Sequence, residues 1–467
     1  MSILQKELVL RTVDDVVAFV GAQAVTKKTW LIIAVALGGV FADAYDFASL
    51  GVGVVQLKQQ FGLTPLWVGS VTAIMAFGAM LGAIFGGWYT DKIGRYRMFL
   101  LDLVFLVIAS LGAAVSVNLP MLLAFRFLMG VGVGLDFPVA LSFIAEFVNE
   151  RRKGSSVNLW QVMWYVAASC TGLFILPFYF LHMGPYLWRI AVGFGAVPAL
   201  VVLLLRSRYM DESPVWAAQN HGLEDAARVI RRMYNVPVRV EAALQAKAVK
   251  VARHFSVLFT RKYVKATVLV SLVCATQSME YFAVGFNIPS ISMQLFGNEF
   301  LFAILGAIFF NLFGILGGAI GSALTARLGC RYLAILGYCI VIASLGGIWL
   351  GGGVLTAQDS AVLLGLFIFG HAFGPGAQGM TMATMSYPTE IRGLGTGWGQ
   401  GMVRVGSIMG FYFFPLIAAA VGLRATMMWM VFVPLAGLAS CMLIRWSPDT
   451  GEAVGSALAE QKYKQAV

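Results

Sequence analysis

Charge is scarce in this chain. Of its 467 residues only 12% are Asp, Glu, Lys or Arg, whereas a soluble globular chain carries about a quarter, and the mean hydropathy is +0.82. That deficit excludes a water-soluble globule and leaves a membrane protein. Cysteine is scarce too: Cys170, Cys274, Cys330, Cys339 and Cys441 stand singly in or beside apolar runs, without the CxxC or Cys/His spacing of a metal site or redox pair. Disulfides, metals and other cofactors are therefore not expected. GxSxG, HExxH, a P-loop and any His cluster are missing as well, which argues against a membrane-embedded enzyme. No short apolar segment with a small-residue cleavage site opens the chain, so no signal peptide is expected. The net charge of +11 is scattered through short gaps between apolar runs; it forms no phosphate-tracking stripe, and no nucleic-acid partner is expected.

What the chain has in abundance is long apolar runs. A bilayer core needs about 20 apolar residues per helix, and twelve such runs are present, at 30–54, 66–90, 98–117, 120–147, 156–180, 187–206, 265–289, 300–325, 332–352, 360–384, 394–420 and 425–445. The reading is an all-α membrane protein with twelve transmembrane helices in two pseudo-symmetric six-helix bundles. Its expected parts are a leader (1–28), a first bundle (29–206), a linker with short amphipathic helices (207–264), a second bundle (265–446) and a tail (447–467). Lysine and arginine in short loops resist translocation. One set of loops carries Lys92, Arg95, Arg97, Arg151, Arg152, Lys153, Arg327, Arg331 and Arg392, and the other little beyond Lys58 and Arg424. Both termini and the linker are thus expected to face the cytoplasm of a multi-pass cell-membrane protein.

The halves repeat each other. "GAMLGAIFGGWYTDKIGRYR" from Gly78 aligns with "FGILGGAIGSALTARLGCRY" from Phe313 at an offset of 235, so that Gly82 meets Gly317, Gly86 meets Gly321 and Gly94 meets Gly329. "EFVNERRKG" ending at Gly154 and "MSYPTEIRG" ending at Gly393 align at an offset of 239. Duplicated halves place a solute site near the midplane between them.

Gly87, Asp91, Lys92, Gly94, Arg95 and Arg97 spell GxxxDKxGRxR, which resembles the signature loop of the major facilitator superfamily. "ESPVWAA", "SPDTGE", "EFVNERRKG" and "YPTEIRG" resemble elements of its sugar-porter branch and of related metabolite/proton symporters. The resemblance implies a secondary transporter working by rocker-switch alternating access, with small-molecule and proton partners, and a monomer is expected. In the loop, Asp91 is expected to meet a cation or helix end across the gap between halves. The arginines are expected to meet carboxylates such as Glu146 or Asp102. Gly87, Asp91, Arg95, Arg97, Glu146, Arg152 and Arg392 form the expected cytoplasmic gate, and plain anchoring explains the cations alone but neither Asp91 nor the glycines. In the second copy Ala326 replaces Asp91, and Met385 stands where a second glutamate is usual, so an asymmetric latch is expected.

Ionisable residues at membrane depth cost several kcal/mol each unless paired or wet, which makes the few present informative. "FADAYDFASL" carries Asp43, Tyr45 and Asp46; "RFLMGVGVGLDFP" carries Arg126 and Asp136; Glu280, His371 and Arg404 lie in later spans. Asp46 and Arg126 are expected at similar depth. In related sugar/proton symporters residues at these places form the proton-coupling pair, and the resemblance carries this to Asp46 and Arg126. A carboxylate beside a guanidinium stays ionised, and separation in a dry site favours the neutral acid; a permanent structural ion pair is the competing reading. Asp43 and Asp136, in elements resembling those of phosphate and metabolite symporters, are held as cavity carboxylates, either proton carriers or counter-charges. Arg404, matching the arginine of aromatic-acid symporters, suits bidentate carboxylate binding; the competing reading is a salt bridge to Asp136. Gln277 matches a hydroxyl-binding glutamine of sugar porters. Gln161 and Trp164 share a face, and Tyr45 joins the candidates. Glu280 is open between a cationic ligand, a proton and the outer vestibule, and His371 is read as a packing histidine. The expected function is proton-coupled import of a small polar, anionic organic metabolite. A sugar or polyol symporter, a phosphate symporter and a facilitative uniporter are the alternatives, and the short linker and tail argue against a transport-fold sensor.

Overall fold

The computed structural model describes residues 7–22, 27–148, 150–241, 254–297, 299–351, 354–446 and 448. The first six residues of the expected leader, the 242–253 stretch of the linker and nearly all of the expected tail, with its "SPDTGE" motif, lie outside the described residues.

Twelve apolar spans form the body. The first five are single helices, Lys27–Phe61, Pro65–Ile93, Arg95–Ala114, Leu119–Phe147 and Glu150–Phe180. The sixth is split into Leu187–Phe194 and Ala196–Tyr209, and the seventh runs from Val264–Glu280 through a π turn, Tyr281–Gly285, into Ile288–Phe296. The eighth and ninth are Phe300–Leu328 and Cys330–Gly351, and the tenth comprises Ala357–Phe373 and Pro375–Met385. The last two lie within Thr389–Leu443, divided at Gly422, whose backbone (φ 80°, ψ 160°) leaves the helix. Several spans overrun the expected limits, the first at both ends, because hydropathy marks only the segment in hydrocarbon while polar flanks such as Lys27 and Lys58–Phe61 continue the helix.

Local chemistry sets the ends. Thr64 caps the second span by accepting from the Trp67 amide, Asn118 caps the fourth through Met121, and Thr356 and Asp359 form a reciprocal capping box on the tenth. The repeated loops end their helices alike: Gly94 (φ +107°) and Gly329 (φ +79°) occupy a backbone region that disfavours a Cβ. The duplication seen in sequence is therefore also one of turn geometry.

Each half packs as a bundle, and the halves meet along two equivalent seams, the second span against the eleventh and the fifth against the eighth. The first, fourth, seventh and tenth spans are heavily enclosed, with 72%, 83%, 61% and 72% of their most apolar windows buried, and the eleventh is mostly buried as well. Phe85, Ile108, Leu204, Phe309, Trp429 and Phe432 point outward on other spans, where lipid suits them. Asp43, Asp46, Arg126, Asp136, Glu280 and His371 fall on the first, fourth, seventh and tenth spans, while Asp102, Arg206 and Arg404 are buried on the third, sixth and eleventh.

The described part of the leader holds regular structure. Leu8–Leu10 forms a short strand parallel to Val238–Val240 of the linker, followed by the helix Val13–Ala22. The linker contributes Pro214–Asn220 and Leu223–Tyr234. The latter is amphipathic, with Glu224 and Asp225 in its first turn and Arg231 and Arg232 in its last, as the helix dipole favours. Leader and linker together cover one end of the bundle, called here the linker end.

Candidate functional site

A cleft of about 330 Å³, part of it open, lies between the halves, lined by Phe137, Trp160, Gln161, Trp164, Gln277, Tyr281, Phe282, His371, Gln400, Val403 and Arg404. Its lining comes from the fourth, fifth, seventh, tenth and eleventh spans. Backbone irregularities help aim it: the π turn at Tyr281–Gly285 and the Gly374–Pro375 break in the tenth span are the kind of helix interruption found at functional sites. Trp164, Tyr281 and Phe282 also line a second cleft of about 470 Å³, bounded further by Phe47, Gly51, Phe286, Pro289 and Asn311, toward the end away from the linker. Trp164 Nε1 donates to the Tyr281 hydroxyl at 3.0 Å across the halves, and Phe282 packs on Phe47 and Phe411. An aromatic partition thus separates the two spaces.

Arg404 is the charge in the cavity. It is buried, its guanidinium lies 4.7 Å from the centre of the Phe47 ring, and its Nε and Nη1 have no hydrogen-bond partner among the described residues. Gln400 has neither amide atom paired, and Gln161 Oε1 and Trp160 Nε1 are also without partners among those residues. Buried polar groups left so cost about 1–3 kcal/mol each, so the arrangement favours a polar guest. A planar fork of donors flanked by aromatic faces suits a carboxylate on a flat body.

The other membrane charges are sorted differently from expectation. Asp136 does not pair with Arg404. It forms an ion pair with Arg206 at 2.7 Å, and Arg206 also donates to Asp102 at 3.1 Å and to the carbonyls of Phe99 and Ala36. Asp102 is accordingly no partner for the loop arginines; Arg206, at the end of the sixth span, reaches it first. Asp43 is buried with neither carboxylate oxygen hydrogen-bonded among the described residues, within Coulombic range of Asp136, Arg404, Arg206 and Asp46. It therefore stands between the Arg206 cluster and the cavity.

Asp46 and Arg126 do come together, but Arg126 Nη1 donates to the Asp46 main-chain carbonyl at 3.2 Å, while the carboxylate accepts from the Ser110 hydroxyl at 3.3 Å. Gly195 makes room, since a Cβ there would overlap Asp46 Oδ1. Tyr45 packs against Phe194 at 5.7 Å and lines neither space. Gln161, Trp164 and Gln277 are in the cavity wall. Glu280 lies behind it, its Oε1 3.1 Å from His371 Nδ1.

At the linker end the halves touch. Gly87 packs on the main chain of Gly393 and Gly397, which a Cβ would hit. Asp91 Oδ2 accepts from the Leu394 amide at 2.9 Å, in the second turn of the eleventh span. Arg95 pairs with Glu146 at 2.9 Å and Asp91 at 3.2 Å, and Arg392 reaches Glu146 from the other half at 3.9 Å. The linker helix adds Trp216 Nε1 to the Asp91 carbonyl, while Glu212 accepts from the Arg95 and Tyr96 amides. Arg97 and Arg152 are exposed, and Arg97 lies outside this set of contacts among the described residues. Glu212 sits largely out of solvent, and that burial raises its pKa above the ordinary carboxylate value despite the amides and Arg95 that favour its ionised form.

Arg206, Ser110, Tyr281, Phe282 and Phe47 were missed in sequence. Arg206 reads as another positive-inside cation in "LLLRSRY". The surplus of buried acids over nearby bases was the signal that could have found it. The phenylalanines and Tyr281 are indistinguishable from packing aromatics without coordinates.

A paired-bundle fold with a central cavity and a contact at one end defines a membrane transporter. The family model of the Major Facilitator Superfamily matches residues 36–386, and the chain belongs to that family. It is 27% identical to the inner membrane metabolite transport protein YgcS of Escherichia coli, over 90% of this chain and 91% of that one. It is also 27% identical to the niacin transporter NiaP of Acinetobacter baylyi (81% and 84% covered) and to the 4-hydroxybenzoate transporter PcaK of Pseudomonas aeruginosa (85% and 88%). Its fold is similar to that of the proton:xylose symporter XylE, with a TM-score of 0.72 at 18% identity, covering 89% of this chain and 95% of the other. These relatives and neighbours are transporters rather than enzymes.

Proposed function

We propose that the chain is a proton-coupled symporter importing a small organic acid, with an aromatic or heteroaromatic monocarboxylate as the favoured class. The observation that carries this reading is Arg404, a buried guanidinium with two unpaired donor atoms in an aromatic-walled cavity. Two of the relatives named above carry niacin or 4-hydroxybenzoate, which supports the same class. Protons are assigned to Asp46 with Arg126, and to Asp43 and Asp136 beside Arg206. In each place a buried carboxylate can trade a cation's field for a proton as the halves rock. The linker end faces the cytoplasm in this reading, supported by the concentration of Lys and Arg in its loops. The Asp91, Arg95, Glu146 and Arg392 contacts then latch the cytoplasmic side. Both halves that line the cavity belong to one chain, so a monomer suffices.

A second reading, a sugar or polyol, is favoured by Gln161, Gln277 and Gln400, three amides suited to hydroxyls in the same wall. The test is uptake by proteoliposomes under an imposed pH gradient, acid outside, set against vesicles with no gradient, with nicotinate, 4-hydroxybenzoate, xylose and phosphate offered separately. Accumulation of an aromatic acid that collapses with the gradient is expected. Arg404→Lys should weaken that uptake by about tenfold or more, because the planar fork is lost. Equal uptake by the variant, or accumulation of xylose alone, would reject the acid reading.

A further inference from the structure

We propose that Glu280 and His371 form a proton-binding dyad in the second half, distinct from the Asp46–Arg126 pair of the first. This rests on the proton-coupled reading above and adds a site to it. Glu280 is the last residue before the π turn of the seventh span, and His371 lies near the break in the tenth. Glu280 Oε1 is 3.1 Å from His371 Nδ1, both side chains are buried, and Glu280 Oε2 has no hydrogen-bond partner among the described residues.

Among the described residues, the groups facing the dyad supply no compensating cation. Tyr281, on the same span as Glu280, stacks on the His371 ring at 4.9 Å. Tyr165 of the fifth span and Tyr338 of the ninth lie within Coulombic range of Glu280. Across the cavity, Arg404 of the eleventh span shares the wall with His371 and has Asp43 as its Coulombic partner. Among the described residues the imidazole is the group within ion-pair distance of Glu280. An ionised carboxylate buried without a cation is strongly disfavoured. One proton removes the difficulty, whether it sits on Glu280 Oε1 or on His371 Nδ1, and the hydrogen bond between these atoms is its seat.

The proton also has a way out. His371 lines the central cavity, and its Nε2 lies beside Gly376 and the Gln161 amide, since a Cβ on Gly376 would stand 2.6 Å from the former and 2.9 Å from the latter. Water entering an opened cavity can therefore exchange with the ring, and the proton held with Glu280 passes through the imidazole to that water. The exchange is tied to the partition: Tyr281, adjacent to Glu280 in the chain, holds Trp164 across the halves. A change of charge on Glu280 acts on the turn that carries this link.

The test uses protons alone. Purified full-length protein in detergent, with no solute, is titrated potentiometrically alongside Glu280→Gln, His371→Gln and Asp46→Asn. Glu280→Gln should exchange one proton fewer than the wild type, and Asp46→Asn should lose a separate one, so that the double variant lacks both. A Glu280→Gln titration that overlays the wild type would overturn the dyad. Should that variant aggregate, the pH-dependent carboxylic-acid C=O infrared band of the wild type is compared with His371→Gln. A displaced or lost component supports the dyad, and an unchanged band overturns it. No solute enters either measurement, so an error in substrate class leaves the outcome untouched. Failed acid uptake with the dyad proton intact would count against the proposed function alone.

Discussion

The seam between the second and eleventh spans is held by charge, whereas the equivalent seam between the fifth and eighth is held by neutral groups. In the first, Asp91, Arg95, Glu146 and Arg392 converge within 4 Å contacts and Gly87 lets the main chains touch. In the second, Asn158 Nδ2 donates to Thr325 at 2.5 Å, the Thr381 hydroxyl donates to Asn158, Gln378 donates to Thr325 at 3.0 Å and Ser322 to the Ser155 carbonyl. Where the first half has Glu146, the second has Met385, which lies against Gly154 beside Thr325. Equivalent geometry has thus been filled with different chemistry. Loss of one member destabilises a buried ion network far more than a neutral one, so the two seams should differ in how steeply they respond to single substitutions.

The comparison is broken most severely by Arg95→Ala. It leaves Asp91 and Glu146 without their shared guanidinium, and a loss of about 3–5 kcal/mol of stability is expected, read as a lowered thermal unfolding midpoint. A midpoint unchanged from wild type would mean that the charged seam contributes no more than its neutral counterpart. Asp91→Asn keeps an oxygen for the Leu394 amide but removes the charge, so a bias of about 1 kcal/mol toward separated halves is expected. Spin labels at the exposed positions Arg97 and Arg327, one in each half at the linker end, would report a population at longer distance. Identical distance distributions would deny Asp91 any part in closure. The neutral seam sharpens the contrast: Ser322→Ala removes one hydrogen bond and should shift the same distribution by about 0.5 kcal/mol or less. A shift as large as that of Asp91→Asn would erase the distinction.

Much of the architecture was legible in the residues. The scarcity of charge, the run lengths and the repeated Gly94 and Gly329 loops announced the membrane spans and their duplication, because hydrocarbon thickness and helix rise leave few alternatives. The loop motif placed Asp91 and Arg95 in one cluster, and Arg95 with Glu146. Pairings inside the membrane were less legible. The sequence offers Arg404 to Asp136 and the loop arginines to Asp102, yet Arg206 takes both acids. One sequence lists the charges of each span but not their rotation about its axis, and a helix turned by a quarter changes every partner. Tyr45, one residue from Asp46, illustrates this: it packs on Phe194 while Asp46 meets Ser110.

Composition and periodicity by themselves determined that this protein spans a membrane many times, in two related halves, with a few costly charges inside, since those properties follow from transfer energies that each segment carries alone. Tertiary structure decided which charges neutralise one another and which remain for a guest. It left Arg404 with open donors, drew Arg206 to Asp102 and Asp136, and set His371 beside Glu280. Those outcomes depend on distances of a few ångströms between segments as far apart in the chain as those of Phe47 and Arg404, and Coulomb and hydrogen-bond energies are decided at that range rather than along the chain.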